Sequence, residues 1–364
     1  MAAVVLALAT APAGTASAGP STGLCARFIS EGDVRDVDSA DLGDVSGLAA
    51  SRAHPGVFWA VNDRAGTVPL VAISSDGEDR GRYSVEGVEH RDWEAAAIGP
   101  GPDPTRSYLY IGDIGDNEAD RPFVSVLRIP EPRVAPDGNP RVLPDAEVLS
   151  FVYPDGPHDA EALVVDPQTG EMLVITKVLT GDADVFRVPT DGFGAGDAVV
   201  AERVGSVSID LPDDLDARPG TQITDAAISP DGSIVLVRTY DSVRAHANDG
   251  ADIAAALAGP SCQAPAPSEV QGEAITVTAD GSAYVTISET AAALADGRLP
   301  EGTPPAKTGV IIDPAAGTGV SATTPDTSTS DQTERSPLVL GALAGALVVL
   351  VILALVGVAR TRRR

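Results

Sequence analysis

The chain has 364 residues, with 52 Asp and Glu against 25 Lys and Arg, giving a formal net charge of −27. So acidic a surface repels nucleic acid and anionic lipid and attracts cations, which excludes a nucleic-acid-binding role. There is no Gly-x-Ser-x-Gly elbow, no His-Glu-x-x-His and no phosphate-binding Gly-rich loop ending in Lys-Ser or Lys-Thr, which removes the commonest hydrolase and nucleotidase signatures.

At the N-terminus an apolar run leads to Ala16-Ser-Ala18, the small-x-small pattern of a signal-peptidase site, although no basic segment precedes it. Residues 1–18 are therefore expected to be a signal peptide. Leu24 before Cys25 excludes the lipoprotein alternative. The two cysteines, Cys25 and Cys262, are expected to form a disulfide in an oxidising compartment rather than remain free thiols.

Five segments then repeat one pattern: a small or acidic residue, a short Ala/Val/Ile strand, and a turn rich in Pro, Asp and Gly. They begin at Ser46-Gly47, Trp93-Glu94, Ala160-Glu161, Thr224-Asp225 and Gly272-Glu273. A second strand follows each, from Val57-Phe-Trp-Ala-Val61 in the first repeat to Ala283-Tyr-Val-Thr-Ile287 in the last. The anchors Gly47, Glu94, Glu161, Asp225 and Glu273 lie 47, 67, 64 and 48 residues apart. A four-stranded blade needs about 40–50 residues, so the pattern predicts an all-β propeller over residues 25–313, with five blades or, alternatively, six. Asp252-Ile-Ala-Ala-Ala-Leu257 predicts one helix within the fourth repeat. The segment Cys25-Ala-Arg-Phe-Ile29 is expected to add an outer strand to the last blade and so cover its open edge.

Residues 314–336, rich in Ser, Thr, Pro, Gly and Asp, predict a disordered stalk. Residues 337–359 carry no charge and are long enough, at about 1.5 Å per residue, to cross a bilayer core of roughly 30 Å. The basic residues 360–364 then mark a cytoplasmic tail. The expected location is the cell membrane, single-pass, with the propeller outside. A cell-wall sorting signal is excluded by the lack of Leu-Pro-x-Thr-Gly before the apolar run.

In a propeller the loops entering first strands and leaving second strands open on one face. Asp92 with Glu94, Asp159 with Glu161, Asp225, and Glu273 enter; Asp63 with Arg64, Asp113, Lys177, Arg238 with Tyr240, and Glu289 leave. Carboxylates from several blades aimed at one axis repel one another unless a cation intervenes. Calcium, a hard ion with six to eight oxygen ligands, is the expected cofactor, held by Glu94, Glu161, Asp225 and Glu273 with Asp63 and Asp113 nearby. Solvent exposure or protonation of these acids is the alternative. Arg64, Lys177 and Arg238, with Tyr240, form the candidate site for an anionic group, or else neutralise neighbouring acids. His90, His158 and Asp159 are candidate acid–base groups, or else ordinary hydrogen-bonded loop residues. The stretch Gly112-Asp-Ile-Gly-Asp-Asn-Glu-Ala-Asp120 is either a calcium-stabilised loop or a polar turn.

The repeats Asp92-Trp-Glu-Ala, His158-Asp-Ala-Glu-Ala-Leu and Gly272-Glu-Ala-Ile, with Ser46-Gly-Leu-Ala and Val61-Asn-Asp-Arg64, resemble the secreted bacterial propellers of the esterase-like phytase group. A looser likeness runs to calcium-activated apyrase-type propellers. The resemblance covers roughly residues 25–290 and implies calcium at Glu94, Glu161, Asp225 and Glu273, together with phosphoester hydrolysis. Gly47 in place of an acid, and an abbreviated last blade, depart from that pattern. Two functions are thus carried forward: a calcium-dependent phosphoester hydrolase, and a non-catalytic binding or scaffold propeller of the cell envelope with structural calcium.

Overall fold

A computed structural model of the chain describes residues 20–29, 34–37, 41–64, 69–134, 139–179, 181–209, 221–250, 252–266, 271–288 and 306–312. The expected signal peptide, stalk, membrane span and tail lie outside these residues.

The chain opens with helix α1 (Pro20–Cys25) and two short strands, β1 (Phe28–Ile29) and β2 (Val34–Asp36). Blade 1 is β3 (Val45–Ala50), β4 (Val57–Asn62), β5 (Leu70–Ser74) and β6 (Asp79–Val85). Blade 2 is β7 (Trp93–Gly99), β8 (Tyr108–Asp113), β9 (Val124–Pro130) and, after β10 (Arg141–Leu143), β11 (Glu147–Val152). Blade 3 is β12 (Ala160–Val165), β13 (Met172–Thr176), β14 (Ala183–Val188) and, after β15 (Val199–Val200), β16 (Glu202–Val207). Blade 4 is β17 (Ile223–Ile228), β18 (Ile234–Thr239), β19 (Val243–Ala247), helix α2 (Ile253–Ala258) and β20 (Ser261–Ala264). Blade 5 is β21 (Gly272–Val277), β22 (Ala283–Ser288) and β23 (Ala306–Ile312).

The five sheets form a propeller: the innermost strands β3, β7, β12, β17 and β21 touch in that order, and β21 returns to β3. Each neighbouring pair of sheets encloses its own apolar core. Trp59 and Tyr83 meet Leu109 and Ile129 between blades 1 and 2, and Leu48 and Phe58 meet Ala274 and Ile287 between blades 1 and 5. Burying one such side chain stabilises by roughly 1.5–3 kcal/mol, so the ring is held by five separate seams rather than one central core.

The innermost strands are rich in Ala and Gly because they crowd at the axis. A Cβ built on Gly47 would lie 2.5 Å from the Ala96 nitrogen, so blade 1 needs glycine there for the approach of blade 2's backbone. The Pro-Asp-Gly turns work as their chemistry dictates. In Pro230-Asp-Gly232, Asp231 Oδ1 accepts from the Ser233 amide at 3.0 Å and Gly232 adopts φ +75°.

The ring closes as expected at the N-terminus: β1 pairs antiparallel with β23, Phe28 opposite Ile312. β2 pairs with the same strand. The Cys25–Cys262 disulfide is formed, with its Cα atoms 6.0 Å apart. It ties α1 to the outer strand β20 of blade 4, not to the last blade. Two outer additions had no sequence signal. β10 pairs parallel with β6 of blade 1 and β15 parallel with β11 of blade 2, so chain from each following blade covers the preceding edge. Helix α2 forms where expected, its N-cap Asp252 accepting the Ala254 amide at 2.9 Å.

Candidate functional site

Every innermost strand carries a register irregularity at its second position. Pairing passes from Val45 to Gly47, Trp93 to Ala95, Ala160 to Ala162, Ile223 to Asp225 and Gly272 to Ala274. The residues stepped over, Ser46, Glu94, Glu161, Thr224 and Glu273, are therefore the equivalent ring positions. Because side-chain direction in a strand has period two, a one-residue slip changes what a residue faces. This corrects two anchors: blade 1 contributes Ser46 rather than Gly47, and blade 4 contributes Thr224 rather than Asp225.

Asp225 has a different task. Its Oδ1 accepts from the Ala226 amide at 2.8 Å and its Oδ2 from the Ile275 amide of blade 5 at 2.9 Å. The nearby Leu48 backbone of blade 1 also favours its charged form. One fully buried carboxylate thus accepts amides from strands of two blades. Burial pushes its carboxyl well above the ordinary range, against the lowering effect of these amides.

The three glutamates are buried and sense one another. Burial, then the facing charges of Glu161 and Asp92, hold Glu94 well above the usual carboxylate range. Burial raises Glu161 similarly, the Lys177 ammonium opposes it, and Glu273 adds to it. At least one oxygen of each is engaged. Ser46 Oγ donates to Glu94 Oε2 at 2.6 Å, Gln271 Nε2 to Glu273 Oε1 at 2.5 Å, and Lys177 Nζ to Glu161 Oε1. Thr224 Oγ1 instead donates to the Gly272 carbonyl at 3.0 Å. Glu161 Oε2 is buried with no hydrogen-bond donor on it, in a side chain only 5% exposed. The Lys177 ammonium lies 5.1 Å from the centre of the Tyr240 ring, a cation–π contact that completes its seat.

The rim is also acidic. Burial raises the Asp92 carboxyl, neighbouring Glu94 opposes that shift, and Asp159 adds to it. Burial, then Asp44 and Asp92, push Asp63 up to about 6. Asp113 accepts from the Asp92 amide at 3.2 Å and from Arg121 Nη2 at 2.9 Å. The acidic glycine-punctuated loop is wound around that buried guanidinium. Arg121 Nη1 donates to the Gly115 carbonyl at 2.6 Å, and Asp116 accepts the amides of Asp120 and Arg121, each at 3.0 Å. The Asp116 amide in turn donates to Asp159 Oδ1 at 2.8 Å. An internal cation therefore organises the loop, which a local scan for ligand spacing could not register.

The three expected anion-binding cations do not form one group. Lys177 is at the mouth on Glu161. Arg64, its side chain 62% exposed, pairs with Asp44 at 2.8 Å on the rim. Arg238 is fully buried in the wall, opposite Asp225 in the β17–β18 pairing, with Gly272 packed against its guanidinium. Both candidate histidines are held in blade seams. His158 Nε2 is 2.8 Å from Asp155 Oδ1, and its ring meets Tyr153 and Phe186. His90 Nε2 is 2.8 Å from the Asn62 carbonyl, with its ring against Trp93.

No family model matches the chain, and no curated protein matches it in sequence. Solved propeller structures resemble it at low identity. Luciferin-regenerating enzyme matches at 10% identity and a TM-score of 0.38, over 78% of this chain and 96% of the other. Regucalcin from Agrobacterium tumefaciens, a calcium-binding protein, matches at 13% and 0.37, over 77% and 95%. The WD40 repeats of RRP9 match at 11% and 0.40, over 77% and 97%. Similarities of this size say nothing about chemistry at the axis.

Among the described residues, no three His, Cys, Asp or Glu groups converge as a metal-binding set. What the ring offers is a buried, mutually repelling set of carboxyls with one unsatisfied oxygen and one ammonium already seated. Gln271 and Arg121 support it and were not singled out in the sequence, and Ser46 and Thr224 were read there only as neighbours of the anchors.

Proposed function

We propose that this protein is a non-catalytic binding propeller, displayed on the outer face of the membrane by residues 337–359, whose axial mouth receives a cation. Glu161 carries the reading: one of its oxygens holds the Lys177 ammonium, and the other is buried without a donor beside Glu94 and Glu273. Leaving a buried carboxylate oxygen unsatisfied costs about 1–3 kcal/mol, and a cation relieves that cost together with the repulsion among the ring acids. A hard cation such as calcium suits an oxygen-only donor, and Glu161 is the group that would receive it. The binding reading is preferred to phosphoester hydrolysis because His90 and His158 are engaged in seams and Arg64 and Arg238 do not join Lys177.

Thermal melting of the purified protein across a calcium titration tests this. The expected outcome is a rise of several degrees by about 10 mM calcium, abolished in Glu161→Gln. A melting temperature indifferent to calcium, or an unchanged shift in the variant, removes the axial site.

A further inference from the structure

A second surface lies on the mouth face, away from the axis. Two loops build it, residues 114–123 between β8 and β9 and residues 153–159 between β11 and β12. They meet at a cleft of about 150 Å³ walled by Pro122, Phe123, Phe151, Tyr153 and Pro157. Phe123 is 46% exposed, and Pro122 and Pro157 are exposed with it. Apolar side chains grouped in water around a cleft mark a surface for contact with another molecule. The two loops are also held in place beforehand. The Asp116 amide donates to Asp159 Oδ1 at 2.8 Å, which ties one loop to the other. Arg121 fixes the first loop through Asp113 at 2.9 Å and the Gly115 carbonyl at 2.6 Å. A preformed cleft loses little conformational freedom when it is filled, so a small contact there gives measurable affinity.

Size and charge select the occupant. The cleft falls below the roughly 300–1,000 Å³ of pockets for drug-sized molecules, so it seats one apolar side chain rather than a whole small molecule. Exposed carboxylates flank it. Asp120 precedes Arg121 in one wall, and Asp155 precedes Gly156 in the other. Asp155 also meets His158, yet its side chain keeps 51% exposure. The wall's own cation, Arg121, is buried and already paired with Asp113. The rim therefore offers negative charge, and a second copy of this chain, at −27, is repelled by it. We propose that this surface docks a basic, extended segment of another protein. One aliphatic side chain of the segment enters the cleft against Phe123, and Lys or Arg neighbours on either side face Asp120 and Asp155.

Fluorescence anisotropy of a labelled peptide on the purified full chain tests this. The probe is Gly-Lys-Lys-Pro-Leu-Pro-Lys-Lys-Gly, compared with one counterpart carrying Ser for Leu and another carrying Glu for every Lys. The Leu peptide is expected to bind with a Kd of about 10–1,000 μM at low salt. The Ser peptide should bind about threefold to thirtyfold more weakly, the loss of one partly buried aliphatic side chain, and the Glu peptide not at all. Phe123→Ala, at an exposed position, should bring the Leu peptide down to the affinity of the Ser peptide, leave the Ser peptide unchanged and keep the melting temperature. Asp120→Asn combined with Asp155→Asn should weaken both basic peptides alike and flatten their salt dependence. Capture of a lysine at the axial mouth would be blind to Phe123, so that arm separates the two sites. A Leu peptide that fails to bind, binds no better than the Ser peptide, or ignores Phe123→Ala overturns the proposal. Self-association of the chain that Phe123→Ala abolishes would assign the surface to a second copy and overturn it equally.

Discussion

Asp225 Oδ2 accepts the Ile275 amide at 2.9 Å, joining blade 4 to blade 5 one residue out of phase with the glutamate ring. With the Ala226 amide on the same carboxylate, strands of two blades are braced by one side chain. Asp225→Ala should therefore destabilise the fold by about 2–5 kcal/mol, because buried amides lose their acceptor. Asp225→Asn should cost less, since its carbonyl still accepts. Equilibrium urea unfolding distinguishes them, and equal stability of wild type and Asp225→Ala would refute the bracing role.

Gly47→Ala probes the approach of blades 1 and 2. The new methyl would meet Ala96 N at 2.5 Å and the Ala95 carbonyl carbon at 2.6 Å, both rigid backbone. A loss of about 1–3 kcal/mol or more is expected. Gly205→Ala, whose methyl would find its nearest neighbour at 3.8 Å, is the control and should be nearly neutral.

Stability should depend on pH in an unusual direction. Asp63 is raised to about 6, and Asp92, Glu94, Glu161 and Asp225 are also raised. Between about pH 4 and 6 the folded state thus holds more protons than the unfolded chain, so stability falls as pH rises through that window. The melting temperature without added calcium should be higher at about pH 5 than at about pH 7, and Asp63→Asn should flatten part of the slope. A melting temperature that falls steadily on acidification from pH 7 to 5 would contradict the buried-acid picture.

Reducing the Cys25–Cys262 bridge, which spans 237 residues, should cost about 2–4 kcal/mol. The loss should appear as a lower urea midpoint in dithiothreitol and be reproduced by the Cys25→Ser, Cys262→Ser double variant. An unchanged midpoint would mean that strand pairing alone holds the N-terminal segment.

Strand identity was legible wherever two signals agreed. The apolar run from Val57 to Val61 marks a strand, and the Asp-Gly turns near Asp231 and Asp280 mark where the chain reverses, as the structure does there. Phase within the inner strands was not legible. At Ser46-Gly47 and Thr224-Asp225 two adjacent residues are each small or polar, and only the bulged pairing decides which belongs to the ring. The parallel strands β10 and β15 escaped notice because three and two residues carry too little periodicity. Arg121 escaped because its partners Asp113, Gly115 and Asp116 are gathered by a loop with no regular period.

The order of events during synthesis follows from the two fastenings of the N-terminal segment. Cys262 is made before β23, so the thiols can join while the last sheet is still incomplete. Oxidation then stations Phe28 beside blade 4, next to the place its partner Ile312 will occupy. Finding that partner becomes a short local search instead of an encounter between distant chain segments, with a correspondingly smaller entropic cost.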